Sequence, residues 1–276
     1  MNHKIQEEFF NDHHARFSTE TTRSYRISLQ QFFTFCGKPY DEIKATDIRS
    51  WLSFMTEQGL KPKSIKLKLT AIRSFYRYCM EENKLKKSPT ARVKSPKLDD
   101  SLPYYLSKRE VTLLQELTRT DLRDRALVEA LYTTGVRISE LLNIKLEDIK
   151  WDTRQMWIRK GKGNKERFVL FTHDCSVRLK AYLDDRNVEC NYLFCNKNGE
   201  PLDQDFVQKQ FREFTKTLGF RVSPHTMRHT FAAHLMEKKM TPSYIQDLLG
   251  HVNINSTRIY TRLMEHAQKK LFDQFQ

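Results

Sequence analysis

Two pieces of sequence decide the fold: SPHTMRHTF at residues 223–231 and LGHVNINSTRIY at residues 249–260. The first begins with Ser223 and a proline, a pair that typically serves as N-cap and first residue of a helix. His225 and Arg228 follow one turn apart and therefore share a face of that helix. Free backbone N–H groups at a helix start favour an anion, so this stretch predicts a site for a negatively charged group.

Two more helix starts are predicted between Thr241 and Tyr260. A second helix is predicted to begin at Thr241, whose next residue is proline, and to end just before His251. Asn255 or Ser256 caps a third predicted helix, which carries Tyr260. Each of these polar residues, taken alone, is more often structural than chemical. Their shared position at helix ends and in first turns instead predicts one functional site.

Three histidines in the first of these helices, His225, His229 and His234, raise the question of zinc. The helical zinc motif places a glutamate directly after its first histidine, and Thr226 occupies that place here. We therefore predict no metal site.

The chain is strongly basic. Its 276 residues are enough for about two domains, and 48 Lys and Arg against 34 Asp and Glu give a net charge of +14. Such a balance points to an anionic partner, either nucleic acid or a membrane surface. No segment reads as a basic amphipathic helix with a bulky apolar face, so we predict nucleic acid.

The compartment is predicted from apolar runs and cysteines. No apolar run approaches the ~20 residues of a membrane span, and the N-terminus MNHKIQEE lacks an apolar signal region. The five cysteines are odd in number and scattered, which is typical of reduced, structural thiols. We expect a cytoplasmic protein without a membrane partner.

The predicted fold class is mainly α with a small antiparallel β-sheet, in two domains. Residues 1–98 read as helical throughout, with helices that begin near Thr46 and Ser64 among them. Three prolines and the lack of a helical period mark residues 86–103 as a linker. Residues 99–276 form the second domain.

Positive charge is concentrated at the end of the first domain. Residues 61–97 hold twelve Lys and Arg against two Glu, a net charge of +10. A solvated helix face is the usual explanation of a charge run, but this excess has one sign and extends into the linker, which favours contact with phosphates. The predicted DNA contacts in this region are Lys61, Lys63, Lys66, Lys68, Arg73, Lys86, Lys87, Lys94 and Lys97.

One β-hairpin is predicted in the second domain. Residues 156–158 and 168–170 are apolar and flank the glycine-bearing tip KGKGNK, which contains Lys162. The tip is no nucleotide-binding P-loop, because the Gly-Lys-Ser/Thr ending is missing. Lys165 and Arg167 beside the tip are interpreted as contacts to the DNA backbone rather than as catalytic groups.

Taken together, the second domain resembles the tyrosine recombinases, also called the phage integrase family, and is most similar to their Xer-like branch. The interval of nine residues from His251 to Tyr260 equals the family's spacing. The first domain resembles the family's core-binding, SAM-like domain, although less specifically. The motifs that carry the resemblance, in family order, are TGVRISEL (134–141), GKGNKER (161–167), PHTMRHTF (224–231), LLGH (248–251) and IYT (259–261).

The resemblance implies a reaction and a set of catalytic residues. A tyrosine oxygen attacks a DNA phosphodiester and leaves a 3′-phosphotyrosine and a free 5′-hydroxyl, with no metal or nucleotide cofactor. Arginines suit the anionic phosphate because they keep their charge and bind bidentately. The catalytic positions implied are Arg137, Lys162, His225, Arg228, His251 and the nucleophile Tyr260.

The resemblance also implies the partners. One partner is double-stranded DNA with paired half-sites. The others are further protomers, either copies of this chain or a closely related recombinase, which complete a tetramer on two DNA sites. An apolar stripe from Ile259 to Leu271 predicts a C-terminal helix that docks on a neighbouring protomer or on its own domain. A type IB topoisomerase and a non-catalytic DNA-binding protein are the alternatives. The biological role stays open among dimer resolution, phage integration and transposon resolution.

Overall fold

A computed structural model describes residues 2–97, 103–159 and 166–250. The chain divides into two compact units, Met1–Ser101 and Leu102–Gln276. Several predictions concern positions outside the described residues and stay predictions: Lys162, Lys165, His251, Tyr260 and the C-terminal helix. None of the helices within the described ranges is long and apolar enough to cross a membrane.

The N-terminal unit contains four described helices. Ser18 caps the second by accepting a hydrogen bond from the backbone N–H of Thr21 at 3.2 Å. The N-cap of the third is Lys44 rather than Thr46, because the carboxylate of Asp47 accepts the backbone N–H of Lys44 at 2.8 Å. The fourth begins at Pro62, two residues before the predicted Ser64. The helices are α1 (Asn2–Asp12), α2 (Thr19–Cys36), α3 (Ala45–Glu57) and α4 (Pro62–Glu81).

Large aromatic side chains fill the core of this unit. Phe9, Phe32, Trp51, Phe75 and Tyr76 are almost completely buried. Phe32 meets Trp51 edge to face, with ring centroids 5.0 Å apart, which is a favourable aromatic geometry. The core therefore joins α1, α2, α3 and α4 into one helical unit.

The C-terminal unit has seven described helices around a small sheet. Ser223 caps a helix with its side-chain oxygen, as the sequence predicted, and Ser107 and Asp121 cap two others in the same way. The helices are α5 (Lys108–Leu117), α6 (Leu122–Thr134), α7 (Ile138–Leu142), α8 (His173–Asp185), α9 (Gln204–Leu218), α10 (Pro224–Glu237) and α11 (Pro242–Leu249).

The sheet has three antiparallel strands in the order β1 (Ile149–Lys150), β2 (Gln155–Ile158) and β3 (Arg167–Leu170). Met156 pairs with Val169, and both are buried in the main core. Trp157 pairs with Phe168 on the opposite, exposed face. The predicted hairpin is thus present, and the mainly helical fold class with a small antiparallel sheet is confirmed.

Two helix ends meet beside α10. Gly135 closes α6 in the left-handed conformation, with φ 61°. The ring of Phe231 on α10 packs so closely that a Cβ on Gly135 would lie 2.3 Å from it. Phe231 also belongs to a small cluster with Ile245 and Leu249, which packs α10 against α11. Helix α10 is therefore held between the end of α6 and α11.

Candidate active site

Arg137 stands at the start of α7, three residues beyond Thr134, the last residue of α6. Its backbone N–H donates to Glu140 Oε2 at 2.9 Å, and its Nη1 donates to Glu140 Oε1 at 2.6 Å. The spacing of three residues puts both side chains on one face of the short helix. The side chain of Arg137 is 27% exposed, so its guanidinium is fixed by Glu140 yet reaches the surface.

Glu140 is a buried carboxylate held by two arginines. Arg167 on β3 donates from Nη1 to Oε1 at 3.2 Å and from Nη2 to Oε2 at 2.8 Å. Burial raises the pKa of Glu140, but the hydrogen bonds from Arg167 and from the Arg137 backbone, with the charges of both arginines, outweigh it. The net pKa lies below the usual value, and Glu140 is ionised at neutral pH.

Arg228 is buried on α10, where it joins two other helices. Its Nη1 donates to the carbonyl of Gly135 at 2.7 Å, and its Nη2 donates to the carbonyl of Leu249 at 2.7 Å. Both carbonyls lie at helix C-termini, where a cation is favoured. Because Arg137 follows Gly135 by two residues, the two arginines flank the same end of α6.

The first two turns of α10 also carry a pair of histidines. His225 Nε2 and His229 Nε2 share a hydrogen bond of 2.9 Å, and their ring centroids lie 4.3 Å apart. One ring donates this bond and the other accepts it, so the accepting nitrogen carries no proton. His225 is exposed and lies one turn before Arg228. An exposed imidazole beside a fixed arginine can exchange a proton with a bound anionic group.

The described part of the predicted catalytic set is thus gathered around the ends of three helices. Arg137, His225 and Arg228 come from the starts of α7 and α10. The predicted positions Lys162, His251 and Tyr260 lie outside the described residues, although β3 follows the hairpin tip and α11 ends directly before His251.

The predicted DNA contacts of the N-terminal unit differ in their surroundings. Lys68 donates to the side chain of Gln31, and Arg73 donates to Ser95 Oγ at 2.8 Å and to the carbonyl of Val93 at 2.5 Å. These two residues are half-buried, whereas the other seven are exposed. The exposed ones are Lys61, Lys63, Lys66, Lys86, Lys87, Lys94 and Lys97.

Glu140 and the environment of Arg167 are what the sequence prediction missed. Glu140 stands three residues after Arg137, which is the spacing of a capping box and could have revealed it. Arg167 was interpreted as a contact to the DNA backbone, but its side chain is only 12% exposed and lies against Glu140. No local pattern indicates that pairing, since 27 residues separate the two.

Comparison with known proteins matches both units. The profile of the phage integrase family matches residues 105–266, and that of the phage integrase N-terminal SAM-like domain matches residues 8–83. Among curated proteins, tyrosine recombinase XerC of Staphylococcus carnosus (strain TM300) is 35% identical over 269 residues, which cover 93% of this chain and 90% of that protein.

Solved structures give the same result. The crystal structure of XerA recombinase has 30% sequence identity and a TM-score of 0.58, covering 99% of this chain and 98% of that one. XerH site-specific recombinase bound to palindromic difH substrate, in a post-cleavage complex, shares the fold with a TM-score of 0.78 and 24% identity. The structural alignment covers 98% of this chain and 84% of the XerH chain.

The family profile covers more than half of the chain, and relatives are about 35% identical along nearly all of it. Both findings agree with the two arginines and the histidine at the helix ends. The chain therefore belongs to the phage integrase family and is a site-specific tyrosine recombinase.

Proposed function

We propose that this recombinase cuts and rejoins DNA through Tyr260. The phenolic oxygen attacks the scissile phosphorus, the bond from phosphorus to the 5′ oxygen breaks, and a 3′-phosphotyrosyl intermediate forms. The free 5′-hydroxyl of a second DNA then attacks that intermediate and releases the tyrosine. Exchange of one pair of strands yields a Holliday junction, and exchange of the second pair resolves it. The covalent bond preserves the phosphodiester energy, so no nucleotide hydrolysis is needed.

Arg137 and Arg228 bind the non-bridging oxygens of the scissile phosphate in this mechanism. A guanidinium stays charged at any working pH and offers five N–H donors, so it can be anchored to the protein and bind an oxyanion at once. Groups fixed in advance stabilise a charged transition state without having to reorganise during the reaction. The single observation that carries the proposal is the anchoring of Arg228 to the carbonyls of Gly135 and Leu249, beside the Arg137–Glu140 pair.

The remaining catalytic residues handle protons. His225 accepts the proton of Tyr260, which its position one turn before Arg228 supports. Lys162 on the hairpin tip donates a proton to the leaving 5′ oxygen, and His251 donates a hydrogen bond to the phosphate. Glu166, the first residue described after the tip, leads directly into β3.

The substrate is double-stranded DNA with paired half-sites. We propose that residues 1–98 act as a SAM-like core-binding domain and residues 99–276 as a catalytic domain, and that each contacts the duplex. Four protomers assemble on two sites through the C-terminal helix, as copies of this chain or with a closely related recombinase. The exposed lysines between residues 61 and 97 support phosphate contact by the first domain. The enzyme works on DNA in the cytoplasm.

The test of this function uses a nicked suicide substrate that traps the covalent adduct. Tyr260→Phe should bind DNA normally and form no adduct. Tyr244→Phe is the matched control, because Tyr244 is a tyrosine of the same unit with 66% of its surface exposed. An adduct that survives Tyr260→Phe and disappears with Tyr244→Phe or Tyr192→Phe would assign the nucleophile to one of those tyrosines instead.

A further inference from the structure

We propose that Arg167 is a positioning residue of the active site: it fixes Glu140, and through it Arg137, against the end of α11 from which the chain leads to His251. This inference rests on the proposed function, since it takes Arg137 as an arginine that binds the scissile phosphate. It gives Arg167 a task other than contact with the DNA backbone.

The guanidinium of Arg167 joins three separate parts of the unit. It extends from β3, which follows the hairpin tip, and its two terminal nitrogens reach the Glu140 carboxylate on α7 at 2.8 and 3.2 Å. Its Nε donates to the carbonyl of Leu248 near the end of α11 at 3.2 Å. The planar guanidinium presents its terminal nitrogens to the carboxylate and its Nε to the carbonyl in one fixed geometry, which the compact ammonium on a flexible lysine stem does not reproduce. Arg167 therefore connects the hairpin, the Arg137 helix and α11.

Glu140 would hold Arg137 less firmly without Arg167. The Glu140 side chain is 3% exposed, and its oxygens accept from Arg137 as well as from Arg167. An ionised carboxylate in a buried place needs several charge-assisted hydrogen bonds to remain there. Removal of Arg167 would favour rotation of Glu140 towards water, and Arg137 would turn with it.

The chain just before His251 packs directly on Arg167. A Cβ on Gly250 would lie 2.8 Å from Arg167 Nη1 and 2.9 Å from its Cδ and Cζ. Gly250 also has a φ of 62°, in the left-handed region that disfavours other residues. A side chain at position 250 would have to adopt this left-handed conformation and displace the Arg167 guanidinium, so glycine permits the close approach. The position of the Arg167 guanidinium sets where the backbone can run as it leaves α11.

Two arginines hold the end of α11 side by side. The carbonyl of Leu248 accepts from Arg167, and the carbonyl of Leu249 accepts from Arg228. These carbonyls lack intrahelical partners at a helix C-terminus, and cations there are favourable. Arg167 and Arg228 thus act on consecutive residues, one from β3 and one from α10. Together they hold the last two residues of α11.

Arg159 provides a matched control on the same hairpin. It directly follows Ile158, the cross-strand partner of Arg167, and it also pairs with carboxylates, donating to Asp148 and Glu147. Its side chain is 53% exposed, against 12% for Arg167. Arg159 resembles Arg167 in charge and location but lacks the connection to Glu140 and α11.

The first experiment separates catalysis from binding. Arg167→Met and Arg159→Met are compared in single-turnover cleavage of a suicide substrate at saturating protein, and DNA affinity is measured over a range of salt concentrations. Arg167→Met should slow cleavage roughly 10- to 100-fold, the effect of an active-site group displaced by about 1 Å. The salt slope, which is the change in the logarithm of DNA affinity with the logarithm of salt concentration, should equal that of the unchanged protein. Arg159→Met should cleave within about twofold of the rate of the unchanged protein.

A second experiment tests whether the effect passes through Arg137. A methylphosphonate at the scissile position has no negative charge, so cleavage there depends less on an arginine clamp. The defect of Arg167→Met should shrink to within about threefold on this substrate, in parallel with that of Arg137→Ala. A general loss of structure would slow both substrates equally. On normal DNA, the double variant Glu140→Gln with Arg167→Met should be little slower than Glu140→Gln alone, as expected for residues that act as one unit.

Three results would overturn the inference. If Arg167→Met flattens the salt slope by about 0.9 and leaves the cleavage rate at saturating protein unchanged, Arg167 is a phosphate contact. Equal defects on the charged and neutral substrates, or cleavage as fast as that of Arg159→Met, would remove the link to Arg137. If Arg167→Met fails to fold, Arg167→Lys is measured in the same way, because it keeps the charge and loses the fork.

The same series separates this inference from the proposed function. Normal cleavage by Arg137→Ala would refute the assignment of Arg137 itself. A strong defect in Arg137→Ala beside a normal rate in Arg167→Met would refute only the positioning role of Arg167.

Discussion

Replacement of Gly135 by alanine should damage the site through a single added methyl group. Gly135 ends α6 with φ 61°, and its carbonyl accepts the Nη1 of Arg228. An ideal Cβ on Gly135 would lie 2.3, 2.8 and 2.9 Å from three atoms of the Phe231 ring. Phe231 follows Arg228 by less than one turn on α10, so a displaced ring disturbs the packing of the helix that carries the arginine.

The loss of stability has two parts. A left-handed conformation costs a residue with a Cβ about 1–2 kcal/mol. Overpacking against the buried Phe231 ring adds about 1–3 kcal/mol, so Gly135→Ala should lose roughly 2–5 kcal/mol in total. Gly219 closes α9 in the same unit with φ 74° and has no atom within 4 Å of an added Cβ. Gly219→Ala should therefore show the conformational part alone.

Denaturant unfolding followed by tryptophan fluorescence measures this difference. Trp51→Phe is introduced into every variant, because Trp51 belongs to the N-terminal unit and the other two tryptophans, Trp151 and Trp157, to the C-terminal one. Gly135→Ala should unfold at clearly lower denaturant than Gly219→Ala, and adding Phe231→Leu should recover part of the loss. Equal losses for the two alanine variants would show that the ring yields without cost, and the reasoning from its close contact would be refuted.

Two further predictions concern pH and salt. Burial lowers the pKa of His234, so the unfolded chain binds a proton there at higher pH than the folded one. The free energy of unfolding should therefore fall as the pH drops below about 6.5. Urea unfolding at a series of pH values should show a smaller decline for His234→Gln, and an unchanged decline would assign it to other groups. The second prediction concerns four exposed lysines, Lys86, Lys87, Lys94 and Lys97. Neutralising them should weaken DNA binding about equally for any DNA sequence and flatten the salt slope by roughly 0.9 for each lost phosphate contact. An unchanged slope would mean that these lysines are only solvated.

Local signals in the sequence were enough to predict the starts of α10 and α11 and the hairpin. Ser107 and Ser223 are N-caps because their hydroxyls reach the backbone N–H three residues later, an interaction contained within four residues. The hairpin was predicted from two apolar runs around a glycine-bearing tip. Strand β1 was not predicted, since Ile149–Lys150 is only two residues long and exists through its pairing with β2.

The candidate site was predictable in its members but not in its support. His225 and Arg228 lie one turn apart, and the wider catalytic set followed from the family's motifs. The contacts that fix the arginines join distant parts of the chain: Arg228 lies 93 residues from Gly135, and Arg167 lies 81 residues from Leu248. Such contacts depend on how the helices pack, and nothing in the local sequence encodes them.

The carboxylate shared between two arginines has a consequence for selectivity between ground state and transition state. Arg137 and Arg167 carry two positive charges, and the single negative charge of Glu140 compensates one of them. A phosphodiester is a monoanion, whereas its pentacoordinate transition state approaches a dianion. The cluster of these three residues therefore keeps one net positive charge, and its attraction grows as the phosphate gains its second negative charge. Part of its electrostatic attraction becomes available only as the bond breaks, which lowers the barrier more than it tightens DNA binding.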